Sequence, residues 1–276
     1  MGIEWREPKK QPKPGRVNPP PSHKKGEWTC NQAVTFALSL TLIIVGVLVA
    51  AGVANAATPL RVMPLGDSIT LGVGDGTATG LQDGYRCALK AKLRAAGQEI
   101  DYVGSQTSGP PQCPDGDIQH EGHSGWTTTQ LLGQTATWVA AAQPDVVLLM
   151  IGTNDIKLRQ WDGLTARLGQ IIDLIHDTRP GTLVVVSTLV QYQTSDQPTI
   201  DAWNAYRDAV PVVAAAHGAR VAYNDNVTRA ELADGIHPKG CAYDGKMAWS
   251  WYFAWTQTTA APNGAGWPQL LPTKVC

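Results

Sequence analysis

Apolar runs of strand length recur between residues 57 and 276. The run at 145–151, DVVLLMI, is apolar on both faces from its second residue onward, as expected of a parallel strand that helices cover on both sides. Polar or glycine-rich segments separate these runs from one another. The pattern predicts five strands, at 60–65, 99–103, 145–151, 182–190 and 220–224.

Amphipathic segments alternate with the predicted strands. In segment 163–178 the residues Leu164, Leu168, Ile171 and Ile175 share one helical face. The pattern predicts helices at 85–96, 127–142, 163–178, 200–216 and 245–258, with Gly97 ending the first and Pro211 a candidate kink in the fourth. The last of these is rich in aromatic residues that could form a sugar-stacking platform, although packing onto the sheet is favoured: Trp249, Trp251, Tyr252 and Trp255.

Alternating strands and helices predict one α/β domain over residues 57–276, with a mostly parallel central sheet. About 220 residues are enough for a single three-layer domain, and the sequence contains no internal repeat. In open parallel sheets, ligands bind at the carboxyl ends of the strands. Polar residues directly after a predicted strand are therefore the candidates for chemistry.

The amino-terminal part has a different composition. Residues 1–32 contain seven Lys or Arg residues, three acidic residues and six prolines, which predicts a disordered basic tail. Residues 33–53 carry no charge, and the sequence ANAA at 54–57 is of the type that signal peptidase accepts. Two interpretations of 33–56 stay open: a signal peptide cleaved after Ala56, and a retained transmembrane anchor.

Both interpretations place the following domain outside the cytoplasm, either secreted or anchored on the outer face of the membrane. The whole chain has 22 Lys and Arg against 23 Asp and Glu, and a near-neutral balance favours no nucleic-acid partner. We expect membrane contact only through 33–56, and only if that segment is retained.

Cysteine usage agrees with an oxidising compartment. Four cysteines follow the apolar segment, an even number that predicts two disulfides. Proximity along the chain favours Cys87 with Cys113 and Cys241 with Cys276, although sequence alone allows three connectivities.

Polar motifs follow the predicted strands. The sequence GDSIT follows the first strand and places Ser68 at a strand-to-helix turn, Gly104 follows the second strand, and GTND with Asn154 follows the third. Near the carboxyl terminus, DGIHP places Asp234 three residues before His237.

These residues supply the parts of an acyl-transfer site. We expect Ser68 to be the nucleophile, His237 its general base and Asp234 the residue that orients the imidazole. The backbone N–H groups of Ser68 and Gly104, with the side-chain amide of Asn154, would form the oxyanion hole.

Ser68, Gly104, Asn154 and His237 stand in the order that names the SGNH, or GDSL-type, hydrolases, and residues 60–257 resemble that superfamily. The stretches RVMPLGDSIT, DGYRCAL, DYVGS and HEGHSGW most resemble the family-three carbohydrate esterases, which remove acetyl groups from xylan. The resemblance implies a flavodoxin-like three-layer α/β/α sandwich, the four roles given above and a reaction that needs neither a metal nor another cofactor.

The resulting hypothesis is an exported serine esterase that deacetylates an acetylated polysaccharide or oligosaccharide. The alternatives are a lipolytic or lysophospholipid esterase with the same catalytic residues, and an anchored carbohydrate-binding protein with a vestigial site. Asp67, His123 and Trp126 are candidate substrate-binding residues. The segment 115–123 resembles a loose metal cluster through Asp115, Asp117, His120, Glu121 and His123, but its spacing fits no established metal motif, and a substrate-facing loop is favoured.

Overall fold

The computed structural model describes residues 58–78 and 80–257. The predicted tail and the segment 33–56 therefore lie outside the described residues. Within these residues, no helix combines the length and the apolar character that a bilayer crossing requires. The strands are β1 (Leu60–Gly66), β2 (Ile100–Tyr102), β3 (Gln106–Thr107), β4 (Gln119–Gly122), β5 (Val146–Met150), β6 (Leu183–Ser187) and β7 (Arg220–Ala222).

The sheet is parallel except at one edge. From β1 the order continues through β5 and β6 to β7, with every pair parallel. On its other side β1 has two partners, because β2 pairs with its first half and β4 pairs with its last two residues. The short strand β3 then pairs with β4 in antiparallel fashion. All five strands predicted from the sequence are present.

Helices cover both faces of the sheet. The longer helices α3 (Thr128–Ala142), α5 (Leu164–Thr178) and α6 (Gln197–Ala216) contact one another in sequence order. Helices α2 (Arg86–Ala95) and α8 (Ala248–Thr256) contact each other as a separate group. This arrangement confirms the predicted α/β fold with a mostly parallel sheet. The helices are α1 (Ser68–Leu71), α2 (Arg86–Ala95), α3 (Thr128–Ala142), α4 (Thr153–Lys157), α5 (Leu164–Thr178), α6 (Gln197–Ala216), α7 (Gly240–Ala242) and α8 (Ala248–Thr256).

Two helices differ from their predicted bounds. Helix α6 begins earlier than predicted because the side chain of Asp196 caps the N–H of Thr199 at 3.1 Å, and the helix continues through Pro211. Helix α8 begins later than predicted, after a π-helical turn at Tyr243–Met247. Phe253 of α8 is partly buried, and the four aromatic residues singled out in the sequence are buried, which supports core packing over an exposed sugar platform: Trp249, Trp251, Tyr252 and Trp255.

A disulfide joins Cys87 in α2 to Cys113, as predicted. It ties the loop before β4 to the helix layer. Cys276 lies outside the described residues, so its bridge with Cys241 stays a prediction.

Candidate active site

Ser68 is the first residue of α1, directly after β1. Asp67 lies between β1 and α1 with an extended backbone and caps the helix, because its Oδ1 accepts a hydrogen bond from the N–H of Ile69 at 2.9 Å. The strand and the cap together fix the direction of the Ser68 side chain. That side chain lies at the carboxyl edge of the sheet, where the topology predicts a ligand site.

Ser68, His237 and Asp234 form a continuous chain of hydrogen bonds. The Ser68 hydroxyl lies 2.8 Å from Nε2 of His237, and Nδ1 of the same ring lies 2.7 Å from Oδ2 of Asp234. With the Nδ1 proton donated to the carboxylate, Nε2 is free to accept the hydroxyl proton. The fold thus brings together three residues of which two are separated by 169 positions in sequence.

Asp234 holds its loop as well as the histidine ring. Its Oδ1 accepts hydrogen bonds from the backbone N–H groups of His237 at 2.9 Å and Ile236 at 3.1 Å. Burial works to raise the pKa of the Asp234 carboxyl, but these bonds and the bond from the His237 ring outweigh it and hold the pKa below its ordinary value. The Asp234 carboxylate is therefore ionised and can stabilise the His237 ring when that ring takes up a proton.

Asn154 lies at the same edge, at the start of α4 after β5. The turn depends on Gly152, because residues with a side chain rarely adopt its φ of +124°. A Cβ atom at this position would also lie only 2.7 Å from the ring of Tyr206. The Asn154 side-chain amide donates to the carbonyl oxygen of Trp126 at 2.9 Å. This bond uses one amide hydrogen and fixes the plane of the group, which leaves the other hydrogen for a ligand.

Gly104 is not where the oxyanion-hole prediction requires it. Its strand, β2, pairs with β1 only as far as Val62, whereas β4 pairs with the residues next to the nucleophile. An added Cβ on Gly104 would lie 2.2 Å from the carbonyl oxygen of His120, so the glycine is needed for close packing of the backbone. The sequence-based assignment of Gly104 to the oxyanion hole is therefore corrected.

Gly125 lies in the loop after the strand that pairs with the residues next to the nucleophile. It follows β4, is exposed, and precedes Trp126, whose carbonyl contacts Asn154. Within the described residues the N–H of Gly125 donates to no backbone or side-chain acceptor, and the same holds for the N–H of Ser68. The sequence HSGW could have indicated Gly125 as a donor, but this glycine follows β4, a strand that the apolar pattern did not predict.

His123 lies within an aromatic stack. Its ring centroid is 4.5 Å from that of Trp126 and 4.5 Å from that of Trp138. The His123 Nε2 contacts Oε1 of the buried Glu121 at 2.6 Å, and the Glu121 carboxylate also accepts bonds from the N–H and hydroxyl of Ser105. The stack supports the segment that holds Asn154, and Trp138 is the member that sequence reasoning missed.

Asp67 is not a substrate contact. The residue is fully buried, with Oδ1 occupied by the helix cap, so the prediction that it binds substrate is wrong for this conformation. Burial raises the pKa of its carboxyl from 3.8 to about 7, because the charged form loses its solvation, and the nearby Asp155 carboxylate adds to the effect.

The acidic and histidine residues of segment 115–123 are bound to protein groups. Asp117 contacts Lys90 Nζ at 2.6 Å, and Asp115 pairs with Arg94. His120 accepts the N–H of Gly122 on Nδ1, so its Nε2–H faces the Ser108 hydroxyl at 3.0 Å. Burial and the charges of Arg86 and His123 lower the pKa of His120 to about 2, which keeps the ring neutral. These residues stabilise the loop.

Residues 65–244, about two thirds of the chain, match the model of the GDSL-like lipase/acylhydrolase family. The chain belongs to this family. Membership makes the described domain a carboxylic ester hydrolase by family, in agreement with the sequence-based prediction.

Two solved structures and one curated protein are similar to this GDSL-like domain. A family 3 carbohydrate esterase of Clostridium thermocellum is 30% identical with a TM-score of 0.61, and the match covers 72% of this chain and 96% of that one. A carbohydrate esterase family 3 structure from Talaromyces cellulolyticus is 27% identical with a TM-score of 0.60, covering 72% and 97%.

A multidomain esterase of Ruminococcus flavefaciens is 30% identical over 231 residues. The match covers 71% of this chain but only 28% of that protein, so the chain spans about a quarter of the curated relative. The resemblance to family-three carbohydrate esterases that the sequence motifs indicated is confirmed by the two structures.

Proposed function

We propose that this GDSL-like domain is an exported serine esterase that removes acetyl groups from carbohydrate. The observation that carries the proposal is the hydrogen-bonded chain from Ser68 through His237 to Asp234. The two solved relatives, both family 3 carbohydrate esterases, support a carbohydrate ester as the substrate.

In the first step, Ser68 Oγ attacks the acetyl carbonyl carbon while His237 Nε2 takes the hydroxyl proton. The carbonyl π electrons move to oxygen and give a tetrahedral oxyanion, and Asp234 stabilises the imidazolium. The intermediate then collapses with cleavage of the bond to the sugar oxygen. That oxygen takes the proton from His237 and leaves as the free hydroxyl of the sugar.

In the second step, a water molecule attacks the acetyl-enzyme by the same route. His237 accepts one water proton and returns it to Ser68 Oγ as the ester bond breaks, which releases acetate. We place the oxyanion donors at the N–H groups of Ser68 and Gly125 and at the side-chain amide of Asn154. All three lie at or after strand ends on the same edge of the sheet, and each has a hydrogen free to donate within the described residues.

Export is proposed from the leader at 33–56 and from the disulfide between Cys87 and Cys113, because disulfides persist in oxidising compartments. Analysis of the amino terminus of the mature protein tests whether cleavage follows Ala56.

The substrate is tested by measuring acetate release from acetylated xylan, other acetylated glycans and a long-chain fatty ester. We expect release from acetylated glycans, slower cleavage of the long-chain ester and no activity for Ser68→Ala with unchanged thermal unfolding. Faster cleavage of the long-chain ester would indicate a lipolytic enzyme. Saccharide binding without any ester cleavage would indicate a binding protein with a vestigial site.

A further inference from the structure

A cavity of about 260 Å³ lies beside the loop that carries His237. Its walls come from the loop after β6, the first half of α6 and the loop after β7. None of the triad residues lines it. Its volume is near the lower limit of small-molecule pockets, ~300 Å³, which suits a single sugar residue better than a long chain.

Backbone hydrogen bonds join this cavity to the catalytic loop. The N–H of Gln193 donates to the carbonyl oxygen of Gly235 at 2.8 Å, two residues before His237. The N–H of Gln191, which lines the cavity, donates to the carbonyl oxygen of Val227 at 3.1 Å. Because His237 gives its proton to the departing sugar oxygen, a ligand beside this loop belongs to the sugar part of the substrate.

The aromatic wall of the cavity is fixed in place. The indole N–H of Trp203 donates to the carbonyl oxygen of Val190 at 2.9 Å, and the guanidinium of Arg207 lies 5.1 Å from the centre of one Trp203 ring. Tyr192 contributes a second aromatic side chain. Rigid aromatic surfaces with a few polar groups are typical of small-ligand sites and suit the C–H face of a sugar ring.

Two guanidinium groups and one carboxylate line the cavity. Arg207 is already paired with Asp208 at 2.7 Å, and the carboxylate of Asp225 accepts a hydrogen bond from Thr188 at 3.0 Å. The guanidinium of Arg229 has no ion pair or hydrogen bond within the described residues, while its backbone N–H is held by Gln191 at 3.2 Å. A free guanidinium is well suited to bidentate binding of a carboxylate.

We propose that this cavity is a subsite for a sugar residue that carries a carboxylate, such as a uronic acid within or attached to the acetylated glycan. The proposal rests on the proposed deacetylase function and narrows its substrate. Trp203 and Tyr192 bind the ring, and Arg229 binds the carboxylate. The enzyme then prefers acetyl groups close to an acidic sugar.

The test uses two acetylated oligosaccharides that differ at one position, one with a uronate residue and one in which that carboxyl is reduced to the alcohol. Wild-type protein is compared with Arg229→Gln and with Arg179→Gln. The second variant is a control that removes the same charge at the end of α5, just before β6 and so at the opposite end of that strand from the cavity. We expect the wild type and Arg179→Gln to prefer the acidic substrate by about tenfold in kcat/KM, the size of one charge-assisted hydrogen bond. Arg229→Gln should lose that preference and keep its rate on the reduced substrate and on 4-nitrophenyl acetate.

Equal rates of the wild type on both oligosaccharides would overturn the subsite, as would a preference that survives in Arg229→Gln. If the protein hydrolyses 4-nitrophenyl acetate but neither glycan, the carbohydrate part of the proposed function fails. The cavity is then judged by calorimetric titration with the deacetylated acidic oligosaccharide. Binding that Arg229→Gln weakens about tenfold supports the cavity, and equal or absent binding rejects it.

Discussion

The side-chain amide of Asn154 donates to the carbonyl oxygen of Trp126 at 2.9 Å. This bond joins the end of β5 to the loop after β4, and so it couples two of the proposed oxyanion donors, Asn154 and Gly125. A rigid pair of donors costs little reorganisation when negative charge develops on the substrate oxygen. The geometry of the hole therefore also depends on Trp126, whose carbonyl oxygen fixes Asn154 but donates no hydrogen bond to the oxyanion.

Asn154→Ala removes one proposed donor. Loss of a single donor in such a site typically lowers turnover by about 100- to 1,000-fold, and we expect a loss of that size in kcat with a much smaller change in KM. Steady-state kinetics on an acetylated glycan measure both parameters, and thermal unfolding checks that the fold is intact. A loss of less than about fivefold would remove Asn154 from the oxyanion hole.

His123→Ala removes one ring of the aromatic stack, in which Trp126 and Trp138 also contact each other, and leaves Glu121 without its ring partner. We expect kcat to fall by a few-fold to about tenfold, because the stacked contacts that hold Trp126 are worth about 0.5–1.5 kcal/mol each. His123→Phe keeps the stacking and is the matched control. If both variants lose the same activity, the imidazole acts through Glu121 or through the substrate and not through stacking.

The fold could be predicted where the signal is local. Buried apolar runs located five of the six strands that pair in parallel, and parallel strands bring their carboxyl ends to one edge, so Ser68 and Asn154 could be placed together. His237 and Asp234 could be paired because only three positions separate them.

The parts of the fold and of the site that were not predicted depend on contacts between residues far apart in the sequence, which no local pattern reveals. Strand β4, with the sequence QHEG, lacks the apolar residues that the strand prediction requires, so the hairpin with β3 was missed and the glycine after it was overlooked. Gly104 follows the correctly predicted strand β2, but β2 pairs only with the first half of β1 and so ends short of the nucleophile. Trp138 reaches His123 only through the packing of α3.

Asp67→Asn should change how stability depends on pH. In the folded protein the carboxyl has a pKa of about 7, above its ordinary value of 3.8, so ionising it opposes folding. The protonated Asp67 carboxyl is the form that the folded state favours. Its stabilising contribution to the free energy of unfolding is fully present below pH 3.8 and is lost as the pH rises to about 7. Asparagine keeps the cap on Ile69 without a charge.

Chemical denaturation of wild type and Asp67→Asn from pH 4 to 8 measures this effect. The variant should gain stability relative to the wild type as the pH rises to about 7, and the difference should then stay constant. A difference that does not change with pH would show that Asp67 titrates normally in the folded state.

The activity should fall on acidification because protonated His237 cannot accept the Ser68 proton. Asp234 should not cause this loss, since its pKa lies below the ordinary value and it stays ionised. Asp234→Asn should lower kcat by several orders of magnitude, because it no longer stabilises the imidazolium or holds the required tautomer. Rate profiles from pH 4 to 8 test both points, and a flat wild-type profile would contradict the role of His237.

The central claim is that His237 activates Ser68 as the nucleophile, and covalent labelling with a fluorophosphonate tests it most directly. We predict one adduct, located on Ser68 by peptide mass spectrometry, that is absent in folded His237→Ala and blocks acetate release in proportion to labelling. Protein that releases acetate while Ser68 stays unlabelled, or that carries the label elsewhere, would contradict the account.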